Sequence, residues 1–170
     1  MEHGLKFFLP ALLLSASILD LMYSKIPNIL NYPFMAGGVL HHAYMRGMEG
    51  FVFSLEGLGL GIALLLFFYL AGGMGAGDVK LMGAIGSFLG PAGVFKAFLI
   101  SAVIGGFYAV LLIIIFGKSR EYMNKIVSSF KYFFYVRRVE VQSPQVTGAV
   151  PRMRYGVAIA IGTALSIFAF

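Results

Sequence analysis

Six apolar segments take up most of this 170-residue chain. A helix needs roughly 20 apolar residues to cross the hydrocarbon core of a bilayer, so the chain has room for about six crossings. Only 12% of the residues are charged, against about a quarter in ordinary soluble domains. We therefore predict an all-α, polytopic integral membrane protein with about six transmembrane helices, in which residues 1–170 form a single domain. The segments cover approximately residues 5–22, 29–44, 58–74, 79–90, 97–116 and 155–170.

The first and the fourth apolar segments each have an unusual feature. The first resembles a secretory leader in length, but its amino-terminal part has only Lys6, balanced by Glu2, and every later segment is also apolar. We expect a membrane span there and not a cleaved leader. The fourth, over residues 79–90, gives roughly 18 Å of helix, so we expect it to be short or to continue, kinked, toward Lys96.

Positive charge is concentrated in one loop. Eight of the thirteen Lys and Arg residues lie in the range 117–154, and such loops normally face the cytoplasm. Apolar residues recur there at helical spacing, which predicts one cytoplasmic amphipathic helix on the membrane surface. Aromatic residues are interleaved with the basic ones, and we interpret this pattern as contact with anionic lipid of the bilayer and not with nucleic acid.

Each crossing takes the chain to the opposite side of the membrane, so a cytoplasmic loop over 117–154 determines the side on which every other connection lies. With six crossings, the turns at 23–28 and 73–79 are cytoplasmic. Both termini, the connection over 46–55 and Lys96 are then outside. Asp20 and Asp78, near the two cytoplasmic turns, are predicted to share one face of the membrane.

Asp20 and Asp78 are the two acidic residues that lie within or directly at the end of a predicted span. Such a residue costs about 2–3 kcal/mol on insertion scales and is a functional hypothesis by default. Asp20 lies at the carboxyl end of its helix, where the helix dipole disfavours an anion; the structural alternative is an ion pair with Lys25. Asp78 follows a glycine-rich run and precedes a helix, so its structural alternative is an N-cap.

Two neighbouring carboxyl groups can hydrolyse an amide. If they share one proton, the ionised group takes a proton from water and the protonated group donates to the carbonyl oxygen of the scissile bond. Gly72, Gly73, Gly75 and Gly77 would let an extended peptide approach closely. Lys80 is predicted either to influence the charge of the second carboxylate or to extend toward the interface.

These residues form two recognisable motifs. Gly75-Ala76-Gly77-Asp78 is a Gly-x-Gly-Asp signature, and together with Asp20 and Ile26-Pro27-Asn28 it closely resembles the type IV prepilin peptidase family of intramembrane aspartyl proteases. The resemblance implies that Asp20 and Asp78 are the catalytic pair and that Gly75 and Gly77 shape the active-site loop. It further implies prepilin, pseudopilin or preflagellin substrates, cut in the cytoplasmic (inner) membrane on its cytoplasmic side, after a glycine that ends a short basic leader.

The chain departs from many bacterial members in one respect. Those members carry a methyltransferase region with a four-cysteine zinc site between the first two spans. Residues 23–28 are too few for that region and the chain has no cysteine. We therefore expect the short, peptidase-only branch, with cleavage but no N-methylation, and with no metal or other cofactor.

Two other function classes compete with the peptidase. A small transporter or channel would use Asp20 and Asp78 as ion or proton sites, but such proteins usually show paired helix interruptions in two related halves, and none is found. A non-enzymatic membrane scaffold would tolerate replacement of both residues.

Three further groups of residues have structural interpretations. His41 and His42 are adjacent, which is a poor geometry for shared metal ligation, and both are expected at the membrane interface. A small-residue stripe is expected to permit close helix packing, and two glutamates beside the outer connection are expected to be solvated. The stripe is Gly83, Gly86 and Gly90, and the glutamates are Glu49 and Glu56.

Overall fold

The computed structural model describes residues 3–23, 26–70, 74–116 and 155–168, and within these ranges the chain forms helices and no β-strand. The all-α prediction is therefore confirmed for this part of the chain. The surface helix predicted within 117–154, and Lys25, Gly72 and Gly73, lie outside the described residues. The helices are α1 (His3–Tyr23), α2 (Asn28–Leu70), α3 (Ala76–Phe116) and α4 (Tyr155–Phe168).

Helix α2 reverses direction at Gly47, which has φ of 60° and ψ of −137°. The rings of His42 and Phe53 are 5.3 Å apart, although eleven residues of straight helix would separate them by about 16 Å. Met35 and Ile62 likewise both pack against Gly83. Helix α2 is therefore a hairpin with arms 28–46 and 48–70.

This reversal corrects the predicted outer connection over 46–55. Residues 48–55 are helical, and Gly47 makes the turn because glycine adopts positive φ without a steric penalty. Glu49 and Glu56 are exposed on the second arm, which agrees with the solvated positions predicted for them.

Helix α3 reverses in the same way at Gly90, with φ of 69° and ψ of −176°. The Phe98 ring lies 6.4 Å from the Phe68 ring. Phe68 is near the carboxyl end of α2, which is the end that precedes α3 in the chain. A straight helix would have carried Phe98 away from that end. The fourth segment is thus a short arm over 76–89, and Lys96, predicted in a connection, lies within the second arm. Pro91 suits the start of that arm, where its missing N–H costs nothing.

Counting both arms of each hairpin, the described chain contains six helical runs. Two helical stretches, Asn28–Leu70 and Ala76–Leu111, are long and apolar enough to cross a membrane, and Phe8–Tyr23 and Tyr155–Ile167 are shorter apolar helices.

The first arm of α3 packs between the two arms of α2 through small residues. A Cβ on Gly86 would lie 2.6 Å from the carbonyl carbon of Gly57, and one on Gly61 would lie 3.2 Å from Gly83 Cα. Ser54 Oγ donates a hydrogen bond of 2.6 Å to the Ser87 carbonyl in the same interface. The predicted role of the glycine stripe in close helix packing is confirmed.

The sequence predicted both histidines at the membrane interface, and within the fold His42 is a buried residue. Its side chain is 7% exposed, and its Nδ1 lies 3.0 Å from the Gly38 carbonyl oxygen. The reason is the reversal at Gly47, which folds the second arm of α2, with Phe53, over the imidazole ring.

Candidate active site

The fold brings Asp20 and Asp78 together at one end of the helices. Asp20 is near the carboxyl end of α1, and Asp78 is in the first turn of α3. Their side chains are 4% and 9% exposed, and the two carboxyl groups are close enough to interact electrostatically. Two acidic groups that share a buried site can exchange and share a proton.

Asp78 is held by the glycine-rich turn before it. Its Oδ2 accepts a hydrogen bond of 3.2 Å from the Gly75 N–H, and its own N–H donates to the Gly75 carbonyl at 3.1 Å. Because α3 begins at Ala76, Asp78 is the third helical residue and reaches back to the amide that precedes the helix, as in a capping box. This corrects the N-cap expectation: the carboxylate caps the helix, but from within its first turn.

Gly75 and Gly77 differ in how strictly they require glycine. A Cβ on Gly77 would lie 3.0 Å from the Ile26 carbonyl oxygen and 3.1 Å from Ile26 Cβ, so the turn before α2 occupies that space. A Cβ on Gly75 would meet Asp78 Oδ2 at 3.4 Å, an ordinary contact. Gly75 is also exposed, which leaves its face beside the carboxylate open to an approaching chain.

Asn31 also contacts this turn and was missed by the sequence reasoning. Its side chain is fully buried, and its Nδ2 donates a hydrogen bond of 3.2 Å to the Gly77 carbonyl oxygen. The available signal was a lone amide inside an apolar segment, since a buried polar side chain normally has a specific partner. Asn31 thereby fixes the start of α3 against α2.

Lys80 makes its hydrogen bonds with α2 and not with Asp78. Its Nζ donates to Asn28 Oδ1 at 2.8 Å and to Tyr32 Oη at 3.0 Å, and it also lies 4.9 Å from the centre of the Tyr32 ring. Lys80 therefore links the two sequence motifs, since Asn28 belongs to the Ile-Pro-Asn turn.

We expect Lys80→Met to lower stability more than activity. The variant keeps the aliphatic stem but loses the two hydrogen bonds that the charged ammonium group donates to Asn28 and Tyr32. In this partly exposed position they are worth about 1 kcal/mol together after solvent screening. Thermal unfolding of the purified protein in detergent should shift down by about 2–4 °C. Tyr32→Phe, which removes one of the two bonds, should shift it less. An unchanged unfolding temperature with a large loss of activity would instead place Lys80 in functional contact with Asp78.

Helix α4 contributes two contacts that the sequence reasoning also missed. A Cβ on Gly156 would lie 2.8 Å from Asp20 Oδ2 and 3.0 Å from Ile26 Cδ1. The Tyr155 hydroxyl interacts electrostatically with Asp78, and its ring packs against Gly105 of α3. The sixth segment was predicted only as a span, because nothing local to it shows that its first two residues meet both aspartates.

The functional groups that the described site brings together are two buried carboxyl groups. Among the residues that the structure describes, no three His, Asp or Glu side chains are grouped in a way that could hold a metal ion. Two buried, interacting carboxyl groups beside an exposed glycine turn are suited to acid–base hydrolysis of a peptide bond.

Comparison with known proteins gives one match. The model of the type IV leader peptidase family matches residues 7–110, which is more than half of the chain and includes Asp20, Gly75, Gly77 and Asp78. No curated protein and no solved structure matches significantly. The match and the apolar helices identify a membrane protease, in agreement with the resemblance of the motifs. The chain belongs to the type IV leader peptidase family.

Proposed function

We propose that this protein is a membrane-embedded aspartyl endopeptidase with Asp20 and Asp78 as its catalytic pair. Its substrates would be type IV prepilin-like or preflagellin-like precursors, cut after the glycine that ends a short basic leader and left without N-methylation. The observation that carries the proposal is the meeting of two buried carboxyl groups, from α1 and α3, at one end of the fold. The substrate class follows from the family and from the motif resemblance.

In the proposed mechanism the pair shares one proton. The ionised carboxylate removes a proton from water as the water oxygen attacks the carbonyl carbon of the scissile amide, and the protonated partner donates to the carbonyl oxygen. The resulting gem-diol collapses, the carbon–nitrogen bond breaks, and the leaving nitrogen takes a proton from the pair. The products are a leader with a free carboxylate and a mature protein with a free amine.

The short first arm of α3 supports a site below the membrane surface. Residues 76–89 give about 21 Å of helix, less than the hydrocarbon thickness of about 30 Å, whereas residues 48–70 give about 34 Å. If all six helical runs cross, Asp78 at the start of the short arm is recessed into the bilayer. Irregular backbone such as the turn at Met74 and Gly75 is tolerated there when it lines a wet cavity.

We further propose that the site faces the cytoplasm, with six crossings and both termini outside. The basic residues of 117–154 support this orientation through the positive-inside rule. Because the exposed Gly75 lies next to Asp78 Oδ2, a precursor would enter the site from the face that carries this turn.

The proposal is tested by co-expression with a tagged precursor that has a basic leader ending in glycine. We expect the precursor to shift to the size of the mature form, and mass spectrometry should find an unmethylated amino terminus directly after the glycine. The matched control is the same precursor with that glycine changed to valine, which should stay uncut. If the protein is present in membranes and both precursors stay uncut, or both are cut alike, the proposed activity or its specificity is wrong.

A further inference from the structure

Helix α4 connects the two helices that carry the aspartates. Helix α1 has few contacts with α3, whereas α4 packs extensively on both. The position of α1 relative to α3 is therefore set largely by α4. Since Asp20 belongs to α1 and Asp78 to α3, the distance between their carboxyl groups depends on how closely the first turn of α4, where Gly156 meets Asp20, approaches each helix.

The approach of α4 to Asp20 depends on Gly156. A Cβ at this position would lie 2.8 Å from Asp20 Oδ2 and 3.0 Å from Asp20 Cγ, closer than side-chain atoms pack without displacement. The carboxyl group fills the space in which any side chain at position 156 would stand. The same Cβ would lie 3.0 Å from Ile26 Cδ1, and Ile26 in turn packs against Gly77, next to Asp78.

The residue before Gly156 supports a role for this end of α4. The Tyr155 hydroxyl interacts electrostatically with Asp78, and the Tyr155 ring lies against Gly105 in the second arm of α3. Of two successive residues of α4, Gly156 thus lies against Asp20 and Tyr155 is within electrostatic range of Asp78.

We propose that Gly156 is a positioning residue of the catalytic pair, because its missing side chain allows α4 to close on Asp20 and hold that carboxyl group toward Asp78. The proposal rests on the proposed peptidase function. Gly156 lies outside residues 7–110, which the family model matches. Helix α4 then forms the third wall of the active site, together with α1 and the first turn of α3.

A matched control lies on the same helix. Gly162 is about 1.7 turns further along α4, where a Cβ would lie 2.6 Å from the Ser101 N of α3. Ser101 Oγ also lies 3.4 Å from the Ile159 carbonyl oxygen in this seam. Gly162→Ala therefore crowds the α3–α4 interface with the same added methyl group but without touching Asp20.

The experiment compares Gly156→Ala with Gly162→Ala in purified, detergent-solubilised protein. The probe is a synthetic peptide with a short basic leader, a glycine and an apolar segment. We expect Gly156→Ala to reduce kcat about 10- to 100-fold, the size expected when reacting groups are displaced by about 1 Å, with KM within a few fold. Its pH–rate profile should also change, because the profile reports the titration of the pair. Gly162→Ala should lower the thermal unfolding temperature and leave the pH–rate profile as in the wild type.

A double variant separates the two contacts of Gly156. Ile26→Val removes the Cδ1 atom that the methyl group added by Gly156→Ala would meet. The double variant therefore has more room to fold, while the contact between the added methyl group and Asp20 remains. A kcat that stays low in the double variant supports the proposal, and recovery to the wild-type value would assign the effect to Ile26 and overturn it. It is also overturned if Gly156→Ala leaves kcat and the pH–rate profile unchanged, or if Gly162→Ala alters both to the same extent. Absence of cleavage by the wild type would instead count against the proposed function.

Discussion

Asp78→Asn should abolish leader removal, with a loss of at least about 1000-fold in turnover, and Asp20→Asn should do the same. In the proposed mechanism each change removes one of two groups that act together, so activation of water or protonation of the amide is lost and the other group cannot replace it. The readout is the size shift of a co-expressed tagged precursor, followed by turnover of a leader peptide in detergent. Both variants should still accumulate in membranes.

The asparagine change at position 78 is well suited to separate chemistry from folding. Asparagine is nearly isosteric with aspartate, and its Oδ1 can accept the hydrogen bond that Asp78 Oδ2 now receives from the Gly75 N–H. The cap on α3 is therefore kept while the acid–base function is removed. We also expect the thermal unfolding temperature of each single variant to equal or exceed that of the wild type, because two interacting buried carboxyl groups are reduced to one.

Glu49→Gln and Glu56→Gln are the matched controls for these variants. Both glutamates are exposed on the second arm of α2, near the reversal at Gly47, and the same loss of a carboxyl group there should leave turnover within about two-fold, as expected for groups far from the reacting atoms. Retention of cleavage in either aspartate variant, with normal protein levels, would exclude the catalytic pair. Loss of cleavage in all four variants would point to a general effect of charge.

The sequence predicted the helical class and singled out both aspartates as candidates because these features depend on local information. Apolar segments of sufficient length indicate helices in a bilayer, and a carboxylate at membrane depth stands out in any such segment. The Gly-x-Gly-Asp turn is likewise contiguous. The sequence therefore placed Asp78 correctly at the start of α3, although its carboxylate caps the helix from the third helical position and not from the N-cap.

The parts that were missed depend on contacts between distant segments. A single residue with positive φ reverses the chain at Gly47 and at Gly90, and the chain has 22 glycines, so composition does not show which of them turn. The burial of His42 follows from the first reversal. The contact of Gly156 with Asp20 joins the start of the last helix to the end of the first, and no local pattern in either segment indicates it.

The second large effect is expected at the crossing of Gly57 and Gly86, where α3 meets the second arm of α2. A Cβ on Gly86 would lie 2.6 Å from the Gly57 carbonyl carbon, and one on Gly57 would lie 2.7 Å from Gly90 Cα. The obstructing atoms are backbone, so a side-chain rotation cannot relieve the overlap. We expect Gly86→Val to destabilise the protein by about 3 kcal/mol or more, at the upper end of overpacking effects, and to reduce its accumulation in membranes strongly.

Gly59→Val is the control for that crossing, because Gly59 is on the same arm of α2 as Gly57, and a Cβ there has no atom within 4 Å. Replacing glycine by valine improves helix propensity by only a few tenths of a kcal/mol, about equally at both positions. A propensity effect alone would therefore leave both variants about as stable as the wild type, so a loss confined to Gly86→Val reports the overlap at the crossing. The comparison uses membrane accumulation and thermal unfolding in detergent. Wild-type levels and unfolding temperature for Gly86→Val would mean that α3 does not sit this close to α2. The first arm of α3 carries Asp78 and is held between the arms of α2, so loss of this crossing should also release Asp78 from Asp20, and residual protein should be inactive even where it accumulates.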